Sequence, residues 1–267
     1  MASSIPVVES SLTTPRVRII SVNEPWDWLA AGWKDLWRAP MVSIPYGLLF
    51  VVMGYLLIYL VEGQFQYALA LTTGFLLAGP FLAMGLYDIS RRLEAGQPAT
   101  LGHALTAWRN NVMPILLFGI MIGLLMILWA RLSALLFAVV IAGRSTTLDT
   151  TVSQIFFSGS GLTFLLIFTA VGAIIAAAVF AISVVSIPMM LDRKIDFITA
   201  VLTSITAVRV NLGPMVLWAA LIVIFTGIGL VTFYIGLAVA LPLIGHATWH
   251  AYKDLVESDP SAEQQPL

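Results

Sequence analysis

Two histidines near the C-terminus, in GHATWHAYKD, stand four residues apart. On a helix His246 and His250 therefore share one face. Two imidazoles at that spacing can hold a metal or one side of a haem. No glutamate completes an H-E-x-x-H pattern, so the pair alone leaves a metal shell open. His103, the one other histidine, could approach from the same side of the chain, and Asp88 or Asp192 could also complete a shell. The spacing reads better as an interfacial belt, with His246 and His250 facing headgroups or packing on Trp249 and Tyr252. No catalytic residue, metal or cofactor is expected.

The cations form a second constellation. TAWRNNVMP (106–114) returns as TAVRVNLGP (206–214), with Thr, Ala, Arg, Asn and Pro matched. Each copy follows a short amphipathic stretch. Leu101, Ala104, Leu105 and Trp108 share a face in the first, with Thr100 as its cap. Ile198, Val201, Leu202, Ile205 and Val208 do so in the second. Ahead of each lies an acid followed by bases: Asp88 with Arg91 and Arg92, then Asp192 with Arg193 and Lys194. The repeated unit is span, acid, bases, surface helix, Arg, Asn, Pro, span. That implies a partial internal duplication, parallel because both connections face one side. Within the motif, Asn ends a helix in the left-handed conformation. Pro suits the first turn of the next helix. Arg complements the helix dipole and can touch lipid phosphate. A sharper alternative makes Arg109 and Arg209 a paired anion site. Arg131 is the one charge placed within a span, either snorkelling from its outer end or facing a cavity.

Composition says what must position these residues. Of 267 residues, 60% are hydrophobic and 10% charged, and the mean hydropathy is +0.97. A soluble domain carries roughly 25% charged residues, so the bilayer is the natural solvent for this chain. The absence of cysteine excludes disulfides and thiolate chemistry. A net charge of −1 gives no reason to expect nucleic acid. No signal-peptide pattern opens the chain, and no phosphate-binding or dinucleotide motif occurs.

The expected fold is an all-α polytopic transmembrane helical bundle of about six spans. Residues 1–22 read as disordered. An interfacial helix follows at 24–38, with Trp26, Leu29, Ala30, Trp33 and Trp37 on one face. The spans fall at about 41–61, 66–87, 113–142, 161–191, 214–231 and 234–251. The last two come from splitting one long apolar stretch near Val231–Tyr234, where Gly227, Gly229 and Gly236 loosen the helix. Cytoplasmic amphipathic surface helices cover about 100–110 and 196–209, and 254–267 is a solvated tail. This topology puts Arg16, Arg18, Lys34, Arg38, Arg91, Arg92, Arg109, Arg193, Lys194, Arg209 and Lys253 on one side, eleven of the thirteen basic residues. The loop 143–160 holds Arg144 on the other. The crowded side, both termini included, is then cytoplasmic. Carboxylates sit at borders and in loops, which weakens a proton-coupled transport reading.

The stretches GWKDLWRAP, LYDISRRLEAGQPATLGHAL, SVVSIPMMLDRKIDF and GHATWHAYKDL together resemble a proteobacterial family of predicted integral membrane proteins of unknown function, over about residues 30–255. Members are sometimes labelled cytochrome c oxidase subunit I. A haem–copper core needs more histidine ligands than the three in this chain. The resemblance implies a membrane fold in the bacterial inner membrane and supplies no activity. The leading expectation is a non-enzymatic accessory, assembly or scaffold subunit. Its partners would be membrane lipids and another membrane protein or respiratory complex. The alternatives are a small-solute permease or channel, and a haem- or metal-dependent membrane enzyme using His246 and His250.

Overall fold

A computed structural model describes residues 15–60, 65–141 and 156–257. The loop 143–160 with Arg144 and the tail beyond 257 lie wholly or largely outside them. Among the described residues the regular structure is helical, apart from one isolated bridge, and the chain makes six passes between two ends. Helix α1 (Glu24–Arg38) leads into α2 (Pro40–Leu60), the first pass. The second is broken into α3 (Phe65–Leu77), α4 (Gly79–Leu82) and α5 (Met84–Glu94). A connector, α6 (Leu101–Leu105) with a 3₁₀ turn Ala107–Asn111, precedes α7 (Val112–Ile141). The fourth pass is α8 (Gly159–Ser183) and α9 (Ser186–Asp192). A second connector, α10 (Phe197–Val210), leads to α11 (Leu212–Val231), and α12 (Leu237–Leu255) returns.

Four passes contain helices long and apolar enough to cross a membrane: the first, third, fourth and fifth. The second and sixth depart from the expected uniform spans. The second breaks at Ala78 and Ala83, just ahead of and beyond Pro80, whose ring cannot continue a helix. The sixth, α12, is buried along most of its length by protein rather than left to lipid. Gly47 and Gly32 let it in. A methyl at Gly47 would lie 2.2 Å from the Ala238 carbonyl oxygen, and one at Gly32 would lie 2.6 Å from the Ala247 nitrogen.

The split of the long apolar stretch holds, and two of the three expected glycines take part: Gly236 lies in the turn, and a methyl at Gly229 would lie 2.3 Å from the Leu237 side chain across it. Residues 232–236 form the turn, and Phe233 and Tyr234 carry its positive φ angles of 55° and 65°. The Tyr55 hydroxyl donates to the Phe233 carbonyl across the turn (2.9 Å), fixing a backbone that non-glycine residues seldom adopt.

The repeat appears as a repeated order of elements: broken pass, connector, unbroken pass. Both connectors lie at one end, because Lys194 donates to the Asn110 carbonyl and Asn111 to the carbonyls of Arg193 and Ile195. Both are capped, the first by the residue expected and the second by Asp196. Thr100 accepts from the His103 amide and Asp196 from the Thr199 amide. On α10 the small residues Ala200, Ser204 and Ala207 face inward, where Ser204 accepts from the Val185 amide at the α8–α9 break. The large residues Ile198 and Leu202 face out, as do Leu105 and Trp108 in the first connector.

Disorder is expected at 1–22 and 254–267, but the described parts, residues 15–22 and 254–257, are bonded to each other. Val17 bridges Val256 in antiparallel fashion, and the amides of Arg18 and Glu257 donate to the carbonyls of Leu255 and Arg16. Residues 15–22 and 254–257 are thus part of the body. The described part of the former begins at Pro15.

Candidate functional site

The polar centre of the molecule lies where α1, α2, α5 and α12 meet. Its members are Asp35, Ser43, Ser90, His246 and His250. Ser43 Oγ lies 2.9 Å from His246 Nε2, and Ser90 Oγ lies 2.8 Å from His246 Nδ1. The Ser90 hydroxyl donates to Asp35 Oδ2 (2.8 Å), and His250 Nε2 lies 2.8 Å from the same oxygen. The result is one unbroken chain, Ser43–His246–Ser90–Asp35–His250. Ser43, Ser90 and His246 are at most 1% exposed, and only His250, at 28% of its side chain, reaches the surface.

Local sequence explains how each member arrives. The inward face of α1 is Pro25, Trp28, Leu29, Gly32, Asp35 and Leu36, while Trp26, Trp33 and Trp37 face outward. The tryptophan stripe is therefore exposed, as an interfacial helix requires. Leu29, expected beside it, belongs instead to the docked face. Trp28 packs edge-on against Trp218 of α11 (5.6 Å between centroids) and donates from Nε1 to Asp254 (2.8 Å). Those contacts bring Asp35 down onto α12. Burial pushes the Asp35 carboxyl up, but hydrogen bonds from His250 and Ser90, with the histidine charges, outweigh it and hold it below the ordinary 3.8.

This arrangement overturns the belt reading of His246 and His250. They share a face as the spacing required, but that face points into the protein. Because α12 is enclosed, His246 reaches no headgroup and must find partners inside. Neither His103 nor Asp88 nor Asp192 completes their shell. The third polar group is Asp35, which the sequence reading passed over. Trp249 donates to Glu94 (3.0 Å) and Tyr252 to Asp192 (2.7 Å), so the aromatic pair also bonds within the protein. Among the described residues no group of three or more His, Asp or Glu is placed to hold a metal.

The remaining expected residues surround this centre. Asp88 is buried at 1% exposure and accepts from Arg91 Nε (3.1 Å) and Arg92 Nε (2.8 Å). Arg193 donates to the Tyr252 hydroxyl (3.0 Å) and the Glu257 carbonyl (2.7 Å). Lys253 stands between Asp192 (3.6 Å) and Glu94 (3.7 Å). Arg109 and Arg209 are both exposed at the same end. No hydrogen bond or ion pair joins them, and Arg109 lies over the Trp108 ring (5.4 Å). Arg131 is exposed on α7, nineteen residues beyond its start at Val112, about 28 Å along the axis. That is where a snorkelling arginine belongs.

The motif asparagines depart from expectation. Asn211 has φ −120° and ψ 42°, not the left-handed conformation. Its side chain accepts from the Ile20 amide (2.9 Å) and donates to the Arg18 carbonyl (2.9 Å). Asn111 likewise donates to the Ile195 carbonyl (3.0 Å). Each asparagine ties its joint to a neighbouring segment.

The fold and site define an integral membrane protein, an all-α helical bundle closed at its basic end by a buried polar clamp. Residues 68–192 match the family described as "Predicted integral membrane protein (DUF2189)", a family of unknown function like the one the sequence resembles. The match covers α4 to α9 and most of α3, a shorter span than the 30–255 of the resemblance. It includes Ser90, Asp88 and Asp192 but neither Asp35, Ser43, His246 nor His250. No curated protein and no solved structure matches the chain.

Proposed function

We propose that the protein is a non-enzymatic accessory, assembly or scaffold subunit of a bacterial inner-membrane complex, with its basic end in the cytoplasm. One observation carries this reading: the buried ionisable groups of the basic end are committed to one another. Asp35 is matched by His250 and Ser90, and Asp88 by Arg91 and Arg92. Ser43, at 0% exposure, presents no face to a substrate. Such a network fixes helices rather than handling a reactant. Outward, the same end carries Trp26, Trp33 and Trp37, each about half exposed, of the residue type that anchors both protein contacts and membrane interfaces. The excess of Lys and Arg at this end supports the orientation. The partner is another membrane protein, a respiratory complex among the candidates.

Purification from native membranes in mild detergent, with cross-linking and mass spectrometry, tests this. A stoichiometric membrane-protein partner is expected. Recovery of the chain alone, together with solute flux in proteoliposomes, would overturn it. The second reading, a small-solute permease, draws on the hydrogen-bonded chain from half-buried His250 to buried Ser43. A flux abolished by His246→Gln would favour it. A haem or metal enzyme is less supported, because both ring nitrogens of His246 already face seryl hydroxyls. An absorption spectrum of the purified protein addresses that reading directly.

A further inference from the structure

At the basic end the extended segment 15–20 runs beside α10. Between them lies a half-open groove of about 310 Å³, with Pro15, Val17 and Ile19 on one wall and Leu202, Thr206 and Val210 on the other. Alternate residues of an extended chain face one side, so Arg16 and Arg18 leave this wall apolar. On the helical wall the Thr203 and Thr206 hydroxyls donate to the carbonyls of Thr199 and Leu202. They therefore leave no polar demand in the groove.

Both walls are fixed without an occupant. Asn211 bonds Arg18 and Ile20, and the bridge to Val256 holds the other edge of the segment. The rim is apolar and open to the surroundings: Ile19 is 84% exposed and Leu202 54%.

Arg209 supplies the charge. It follows Leu202 by seven residues, about two helical turns, and so stands over the same wall. It is exposed and has no acidic partner among the described residues. Arg91 and Arg92, by contrast, are bound to Asp88. An apolar trough beside an unmatched cation at a membrane boundary is complementary to a molecule with a hydrocarbon chain and an anionic head. In the first connector the matching Arg109 instead lies over the Trp108 ring.

We propose that the groove is a binding site for one acidic phospholipid, with an acyl chain between segment 15–19 and α10 and the headgroup phosphate on Arg209. This lipid packs the N-terminal segment against the second connector. The inference is independent of the scaffold reading.

Native mass spectrometry of the full-length protein, titrated with phosphatidylglycerol or phosphatidylcholine in detergent, tests it. One phosphatidylglycerol should be retained, about fivefold more tightly than phosphatidylcholine, as expected for one interfacial arginine. Excess inorganic phosphate should not displace it. Arg209→Gln should remove that preference. Thr206→Trp, which fills the groove, should lower retention of both lipids, and Arg109→Gln should change neither. Equal retention of the two lipids by the unaltered protein overturns the proposal, as does an unchanged preference in Arg209→Gln. So does dimerisation in place of lipid binding, or displacement by free phosphate. Arg209 is a surface residue, so its variant folds and decides the case even where Thr206→Trp does not accumulate.

Discussion

Asp88 and Asp192 hold matching places in the two halves, each near the basic end of a broken pass and just ahead of a basic pair, yet they are wired differently. Asp88 closes on its own helix, taking Arg91 and Arg92 from the next turn. Asp192 reaches across to Tyr252 and Lys253 of α12, while its neighbour Arg193 turns to Tyr252 and the Glu257 carbonyl. The two motif asparagines both reach distant segments, but different ones. Asn111 holds the start of the second connector, and Asn211 holds the N-terminal segment. A duplicated sequence thus supplies the same joint twice, and what packs on each joint decides its bonds. The second half carries the joined termini. In the first, the acid Asp88 is closed on its own helix.

Breaking the acids separates the two designs most sharply. Asp88→Asn leaves Arg91 and Arg92 facing a buried neutral group. Removing one partner of a buried ionic cluster costs about 3–5 kcal/mol, so a loss of about 3 kcal/mol is expected with both arginines partly exposed. Asp192→Asn loses the ion pair with Lys253, 33% exposed, and keeps an amide oxygen for the Tyr252 hydroxyl, so it should cost about 1 kcal/mol. Thermal unfolding in detergent measures both. Equal losses would mean that the local closure at Asp88 is not what distinguishes the halves.

The asparagines sharpen the comparison by location. Asn211→Ala strands the Ile20 amide and the Arg18 carbonyl, at about 1 kcal/mol each. It should cost about 2 kcal/mol and speed proteolysis at 15–20. Asn111→Ala removes bonds only to the 193–195 loop. It should cost about 1 kcal/mol and leave the N-terminal segment protected. Early cleavage at 15–20 in Asn111→Ala would show that the two joints are coupled.

Much of this was readable from the sequence, for physical reasons. The apolar runs fixed where passes occur. Thr100 and Asp196, small polar residues ahead of helical runs, sit at the caps. The repeated nine letters announced the joints. Other features depended on distant packing. Nothing local shows that GHATWHAYKD is enclosed, because an amphipathic His-Trp pattern suits an interface as well as a crowded core. The available signal was on α1, where Trp28, Gly32, Asp35 and Leu36 recur at helical spacing beside the more conspicuous Trp26, Trp33 and Trp37. Ser43 and Ser90 gave no signal of their own. A serine in an apolar helix usually bonds its own backbone, and only the approach of α12 recruits these two.

The clamp joins the halves, with Ser43 of α2 and Ser90 of α5 on one side and His246 and His250 of α12 on the other, so its acid response tests whether they are held as one. Asp35 is the carboxylate in the chain, and its pKa lies below the ordinary value of 3.8. A group depressed in the folded state stabilises the fold fully above its unfolded pKa, and that contribution is lost as pH falls through the folded value. Asp35→Asn should therefore lower stability at neutral pH by about 1.5 kcal/mol, the order of one hydrogen bond to a charged group. The gap between the two proteins should narrow below about pH 4, where the unfolded carboxyl takes up its proton first, and vanish only as the folded carboxyl is protonated in turn. Asp196, depressed mainly by its hydrogen bonds to Thr199, titrates in both proteins and cancels in the difference. Unfolding midpoints of the unaltered protein and Asp35→Asn, followed in detergent from pH 7 to pH 3, give the curve. A gap that persists unchanged at pH 3 would show that Asp35 contributes through packing rather than charge. The link between the halves would then rest on the packing of α12 and on its hydrogen bonds to Ser43, Ser90 and Glu94.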